Sequence, residues 1–381
     1  RHRSKHSRDT NPSSSQVSSF DTINDEDDNE YDNDANNSEV VKREISIENS
    51  STLFPKILAK QWDKSPLNLS KYPSSASVIV AAFAYTHFLD NKLQLDDITK
   101  FIQMYKSSTL LSNLNDPIEK WYITAIIAVT SSKLKDQLNF DNKKLALLNS
   151  NLLSILEDQL YIVLDSSFRS FQQIGRTLIE GTYDDLEISQ SLNSSVQDFQ
   201  NYFTSKKLSK SIADFFTVEM VKYFDNFLVS SLIKTPDKCN FQCAIKWNTV
   251  MTVIYDSEIF RKNMNLFREA ASALMMSSII CSDPQMRNEI CPNLDVKIIY
   301  KILSLQKPDE FLPAPNDLTK FMEFYKLTPG NCEPIINLHN PQISFDVIYS
   351  NSFDVSEWKN VKFSSNIFDE FPFLKTFFSA G

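Results

Sequence analysis

Four glycines in 381 residues, Gly175, Gly181, Gly330 and Gly381, constrain this chain more than any other feature. Loops that cradle phosphate use glycine where the backbone takes a positive φ or touches a ligand. No P-loop or dinucleotide fingerprint can be written with these four. A chain so poor in glycine and so rich in Leu, Ile, Phe, Ser and Lys turns its corners with Pro, Asn and Asp, which suits helices joined by polar turns better than a catalytic α/β sheet. The sequence reads as an all-α helical scaffold that binds something.

Hydrophobic residues make up 42% and aromatics 12%, with 28 Phe, enough for one or two substantial cores at this length. The five cysteines are odd in number and no signal peptide opens the chain, so a disulfide framework is not expected and the cytosol is. The apolar run Trp121 to Val129 lies between Lys120 and Lys133, far short of the roughly 20 residues of a membrane span. The net charge of −9 is uneven. The first fifty residues hold 6 Lys/Arg against 12 Asp/Glu, leaving 33 against 36 for residues 51 to 381. A direct nucleic-acid binder carries a basic domain with a clustered Lys/Arg face, which this chain lacks, so nucleic acid, if involved at all, would come through a partner.

Residues 1 to 50 run from a basic stretch (Arg1 to Arg8) through a Ser-rich segment to an acidic, Asn-rich one from Asp21 to Asp34. Such a segment has too little apolar surface to offset its ordering entropy, and is expected to be a disordered acidic linker. No initiator Met opens the chain, which favours a piece of a longer protein. From Leu53 onward helical periodicity dominates. Asp116-Pro117-Ile118-Glu119 combines an N-cap, a proline suited to the first helical position and a capping-box glutamate. The helix it starts carries Trp121, Ile123, Ile126, Ile127 and Val129 inward. Leu145 to Phe171 repeats apolar residues every three or four positions, as one long amphipathic helix or two in tandem. Residues 184 to 200 are polar enough for a loop or an exposed helix, and mark the best internal boundary. A wide stripe from Ile212 through Phe215, Phe216, Phe224 and Phe227 to Leu232 opens the second half. Further helices are expected at about 240–256, 258–280, 295–305 and 317–327. Beyond Pro329, Ile343 to Val347 alternates and Phe368 to Phe378 is aromatic. The expected architecture is an elongated rod of two helical subdomains, 51–205 and 206–381, with an extended aromatic C-terminal tail packed across it.

Chemistry-bearing residues are sparse. Cys239 and Cys243 stand at i and i+4, a spacing that two further ligands could turn into a zinc site, yet His87 and His339 have no Cys or His at a metal spacing. Buried thiols are the expected reading, and no metal or cofactor is expected. No local signature makes Cys239 a nucleophile with either histidine. No organised nucleophile, base and oxyanion motif is present, so catalysis is not expected from this chain. Lys206, Lys207 and Lys210 form the sharpest basic cluster, either a solvated helix end or a patch that steers an acidic or phosphorylated adaptor segment. Tyr183, Asp184 and Asp185, with Glu187, form the complementary candidate, an acidic surface with one aromatic anchor.

The stretch Ala213-Asp214-Phe215-Phe216, then Lys222 to Val229, Cys239, and Ala244-Ile245-Lys246-Trp247-Asn248, resembles the core motif of the dilute-type domain. Cys291-Pro292-Asn293-Leu294, followed by Ile298, Ile302-Leu303 and Lys307-Pro308-Asp309-Glu310, resembles its later motif. Residues 116–129 and 152–181 are similar to helices of the class V myosin globular tail, and the Ser/Asn/Lys-rich composition is similar to its fungal branch. The turn Lys234 to Asn240 departs from the paired Cys-Ser usual there, and Trp247 sits earlier than the usual tryptophan. The resemblance implies the cargo-binding tail of an actin-based motor, whose adaptors link it to organelles, vesicles or RNA-protein particles. It also implies a cytoplasmic location on the actin cytoskeleton at sites of polarised growth, no direct contact with nucleic acid or membrane interior, and dimerisation only through an upstream coiled coil. A helical subunit of a vesicle-tethering complex, equally glycine-poor and free of catalytic motifs, is the rival.

Overall fold

Asp116 starts the first well-defined helix as its sequence dictates. Its Oδ1 accepts from the Ile118 N–H at 3.1 Å, and Pro117 opens α1 (Pro117–Leu138). α1 packs against α2 (Asn142–Ser166); its Trp121, Ile123 and Ile127 are buried, Trp121 with its ring 4.8 Å from that of Phe216, while the side chains of Ile126 and Val129 lie outside the described residues. The computed structural model describes residues 114–138, 142–206, 208 and 210–334, six positions between 99 and 107, and residue 369. All belong to one compact unit, Ile45–Gly381. The acidic leader, Ile343 to Val347 and the aromatic tail Phe368 to Phe378 lie outside the described residues, apart from Asp369. Among the described residues the fold is an all-α helical bundle with no strand.

The long apolar repeat resolves into two helices in tandem. At the end of α2 the Ser166 hydroxyl donates back to Val163 O at 2.9 Å, a local bond that competes with helix continuation. Phe168 then turns inward, its ring 4.7 Å from Tyr223 and 5.1 Å from Phe227, before α3 (Arg169–Glu180) begins. α3 ends at Gly181, whose φ of 79° is the left-handed conformation a helix C-cap favours.

The 184–200 segment is neither loop nor exposed helix. Asp184 caps α4 (Asp185–Ser205) by accepting from Leu186 and Glu187 N–H, and Ile188, Leu192, Val196, Phe199 and Phe203 form a buried face. Serines dilute the apolar signal because they tolerate burial on that same face, as Ser189 and Ser195 do.

α5 (Lys210–Ile233) is the central element, packed against α2, α3 and α4 on one side of the chain and the later helices α7 (Glu258–Asn263), α8 (Leu266–Met275) and α11 (Val296–Leu305) on the other. Phe216, Phe224 and Leu228 are fully buried, whereas Phe215 and Phe227 are only partly so. α3 crosses α5 at Gly175, where a Cβ would stand 2.8 Å from Phe227 Cε1 and 3.0 Å from Phe224 Cε2. Gly175→Ala is therefore expected to lose about 1 to 3 kcal/mol through overpacking, which outweighs the ~1 kcal/mol that alanine gains in helix propensity. Urea unfolding measures it; an alanine variant as stable as the parent would mean that the two helices stand further apart.

The single helix expected over 258–280 is three: α7, α8 and α9 (Ser277–Ser282). The cause is tertiary. Asp225 of α5 accepts from the N–H of Leu266 at 2.7 Å and of Phe267 at 2.8 Å, so a new helix starts where α5 supplies the cap. α6 (Phe241–Ile254) precedes this group, capped by Asn240 on Cys243 N–H at 2.8 Å. α10 (Arg287–Ile290) and α12 (Thr319–Phe324) complete the described helices, with short 3-10 turns at Pro236–Lys238 and Pro284–Met286.

Candidate partner-binding surface

The segments that carry the dilute-type resemblance meet in space, and they meet as joints. Asp225 holds the start of α8. Glu269 of α8, also buried, accepts from Asn293 N–H at 2.9 Å, Asn293 Nδ2 at 2.7 Å and Leu294 N–H at 2.8 Å. The Cys291 thiol donates to Glu269 O at 3.3 Å. Trp247 is buried and its indole N–H donates to Leu178 O at 2.8 Å, tying α6 to α3. Lys307 N–H donates to Cys239 O at 2.8 Å, and Asp309 accepts from Phe241 N–H at 3.0 Å. These groups satisfy polar atoms that the bundle would otherwise bury unpaired.

The two candidate surfaces named from the sequence lie at opposite ends of α4, about 30 Å apart at 1.5 Å per residue over its 21 residues. They do not form one site. At the C-terminal end Lys206 reaches Asp116 at 2.5 Å and Glu119 at 3.7 Å, and the Tyr202 hydroxyl donates to the same Asp116. The glutamate thus faces Lys206. Lys210 is exposed and pairs with Asp214 one turn on at 2.6 Å; Lys207 lies outside the described residues.

Burial alone would push the Asp116 carboxyl up, but hydrogen bonds from Lys206, Tyr202 and Ile118 N–H outweigh it and hold the group below its usual range. That contribution to stability is present above the unfolded carboxylate value of about 3.9 and is lost as pH falls through the lower folded value. Reversing all three lysines, harmless to folding if they were only solvated charges, gathers a third carboxylate beside Asp116 and Glu119. Lys206→Glu alone is expected to lose roughly 1 to 3 kcal/mol, between an exposed and a buried broken pair. Lys210→Glu should change stability little. Equal melting of Lys206→Glu and parent would show that the Lys206 pairs with Asp116 and Glu119 add nothing to stability.

At the N-terminal end of α4, Asp184 is committed to its cap and Asp185 stands in the first turn. Tyr183 packs on the core. Its hydroxyl is buried with no hydrogen-bond partner among the described residues. Burial first, then the charges of Asp185 and Cys243, push it up to about 12. Cys243 lines a cleft of about 380 Å³ with Asn240, Gln242, Lys246, Lys307, Pro308, Asp309 and Glu310.

The cleft lies between the start of α6 and the 307–311 loop. Asp309 fixes the loop by accepting from the N–H groups of Phe311 and Leu312, both at 2.9 Å. Lys307 Nζ pairs with Asp237, and the Phe311 ring lies 5.0 Å from that of Phe241. In the sequence Lys307-Pro308-Asp309 stands as a break and as the end of the later motif, but nothing local shows that it closes on residues some seventy positions earlier.

Cys239 is buried, and burial pushes its thiol up to about 12. Among the described residues no group of three or more His, Cys, Asp or Glu stands where it could hold a metal ion, and no helix is long and apolar enough to cross a membrane. A scan against protein-family models finds no match to the chain, and a search of the curated proteins finds none either.

Proposed function

We propose that this chain is the cargo-binding globular tail of an actin-based class V myosin heavy chain. It binds adaptor proteins that link the motor to organelles, vesicles or RNA-protein particles. The observation that supports this reading is the placement of the residues that resemble the dilute-type motif. Asp225, Cys239, Trp247, Cys291, Asn293 and Asp309 each bond to a neighbouring segment of one helical body, which supports reading them together as one motif. In this reading the protein is cytoplasmic, works on the actin cytoskeleton at sites of polarised growth, and dimerises through a coiled coil upstream. Its adaptors carry any link to nucleic acid or membrane.

The reading is tested by competition. Excess free tail occupies adaptors without a motor, so overproducing the 381-residue chain in cells that depend on class V myosin should slow directed movement of cargo along actin and leave actin cables intact. Unchanged cargo speeds, with the chain recovered in a vesicle-tethering assembly, would favour the rival reading and overturn this one.

A further inference from the structure

Three hydroxyl residues of the chain precede a proline: Ser65, Thr235 and Thr328. Only Thr235 is followed three positions on by a lysine, Lys238, with Lys234 just before it; the residue three positions after Ser65, and after Thr328, is asparagine. A serine or threonine before proline, with a lysine three positions later, is the pattern that proline-directed protein kinases accept. The proline holds the preceding residue extended and brings no N–H for the enzyme to satisfy, and the lysine answers an acidic enzyme surface. The structure sets this pattern at the surface. Thr235 stands between the end of α5 and the 236–238 turn with φ −123° and ψ 70°, outside the helical region. It is half-buried, and Lys234, Pro236 and Asp237 around it are exposed. Its hydroxyl donates to Ser231 O at 2.9 Å, one of the last carbonyls of α5.

The charges beside Thr235 suit a phosphate. Asp237, the nearest carboxylate in sequence, is neutralised by Lys307. Among the described residues Lys234 and Lys238 pair with no carboxylate, and the Lys238 ammonium bonds a main-chain oxygen, Glu180 O at the end of α3, at 2.9 Å. Thr235 O accepts from Lys238 N–H at 3.0 Å, the bond of a 3-10 turn, in which side chains three apart stand one above the other. We propose that Thr235 is a phosphorylation site for a proline-directed protein kinase, and that its phosphate takes Lys238 from Glu180 and so unties the 236–238 turn from the end of α3. The γ-phosphoryl group of ATP passes to Thr235 Oγ1, the hydroxyl proton leaves, and ADP departs. The product carries about −1.5 to −2 charge at pH 7 and no longer donates to Ser231 O. Negative charge at a helix C-terminus is unfavourable, which turns the phosphate toward the neighbouring ammonium groups. An ionised acceptor makes the stronger hydrogen bond, so the phosphate displaces the neutral Glu180 carbonyl on Lys238. The site stands on its own chemistry and does not depend on the tail reading.

The test incubates the folded 381-residue chain with ATP and a cyclin-dependent kinase and maps the phosphate by mass spectrometry. Thr235 should be modified, and Thr328, the more exposed of the two, should not. Thr235→Ser should keep the modification and Thr235→Val should lose it. Pro236→Ala and Lys238→Ala should each slow incorporation about tenfold or more, the scale of one lost specificity contact. Hydrogen exchange on the phosphorylated chain should quicken over residues 177–182 and 234–240 and stay unchanged in α1. Phosphate on Ser65 or Thr328 with none on Thr235, or modification of Thr235 only after urea unfolds the chain, would overturn the site. Unchanged exchange over both stretches in the fully phosphorylated chain would overturn the untying of the turn.

Discussion

Asp225→Ala is expected to destabilise the protein by about 3 to 5 kcal/mol, because it strips acceptors from at least two backbone N–H groups at the first turn of α8, each worth about 1 to 3 kcal/mol when left unpaired in the interior. The carboxylate is 2% exposed, so water does not replace it readily. Loss of the cap should fray the start of α8 and loosen Phe267, whose ring lies 5.3 Å from Trp247. Asp225→Asn keeps one acceptor oxygen and should lose less. Denaturant unfolding separates the three proteins; an alanine variant within 1 kcal/mol of the parent would show that α8 caps itself.

The same residue gives the stability curve a recognisable slope. Burial pushes the Asp225 carboxyl up to about 7 against the pull of the backbone N–H groups, with the Glu269 charge adding to the rise. The native state therefore holds this proton more tightly than the unfolded chain, whose aspartates titrate near 3.9. Its contribution is complete below that value and is lost as pH rises through about 7. Measured from pH 4 to 8, the stability difference between parent and Asp225→Asn should shift against the parent as pH rises. Parallel curves would place the proton elsewhere.

Phe224→Ala should have an effect of similar size, about 3 to 5 kcal/mol, the usual result of emptying a buried aromatic site. Phe224 is fully buried, with ring centres 5.8 Å from Phe171 and 6.5 Å from Phe168, and it closes the α3–α5 crossing at Gly175. Partner binding would then disappear through unfolding and not through a lost contact. A variant that melts with the parent would mean that α5 is not the central helix of the core.

The helices most legible in the sequence are those whose determinants are local. Asp116-Pro117 announces α1, and the stripe from Ile212 to Leu232 announces α5, since caps and apolar spacing act within a few residues. The misread regions are those where a distant group decides. Nothing between Ser257 and Ile280 says that Asp225 will begin a helix at Leu266, and a serine-rich stretch conceals how much of α4 is buried. Lys206 reads as a solvated charge until the fold brings Asp116 to it from ninety residues upstream. The cleft was hidden for the same reason: residues of α6 and of the 307–310 stretch come to line one space only when that loop closes on α6.

The most direct measurement joins this chain to a class V myosin heavy chain whose own globular tail has been removed, leaving motor, neck and coiled coil, and follows single fluorescent cargo particles on actin in an extract of the cells that make the chain. The account predicts processive runs of cargo with the chimera and none with the tailless motor, with runs shortened or lost when Phe224→Ala unfolds the tail. A chimera that walks on actin as well as the parent motor but never carries cargo would contradict it.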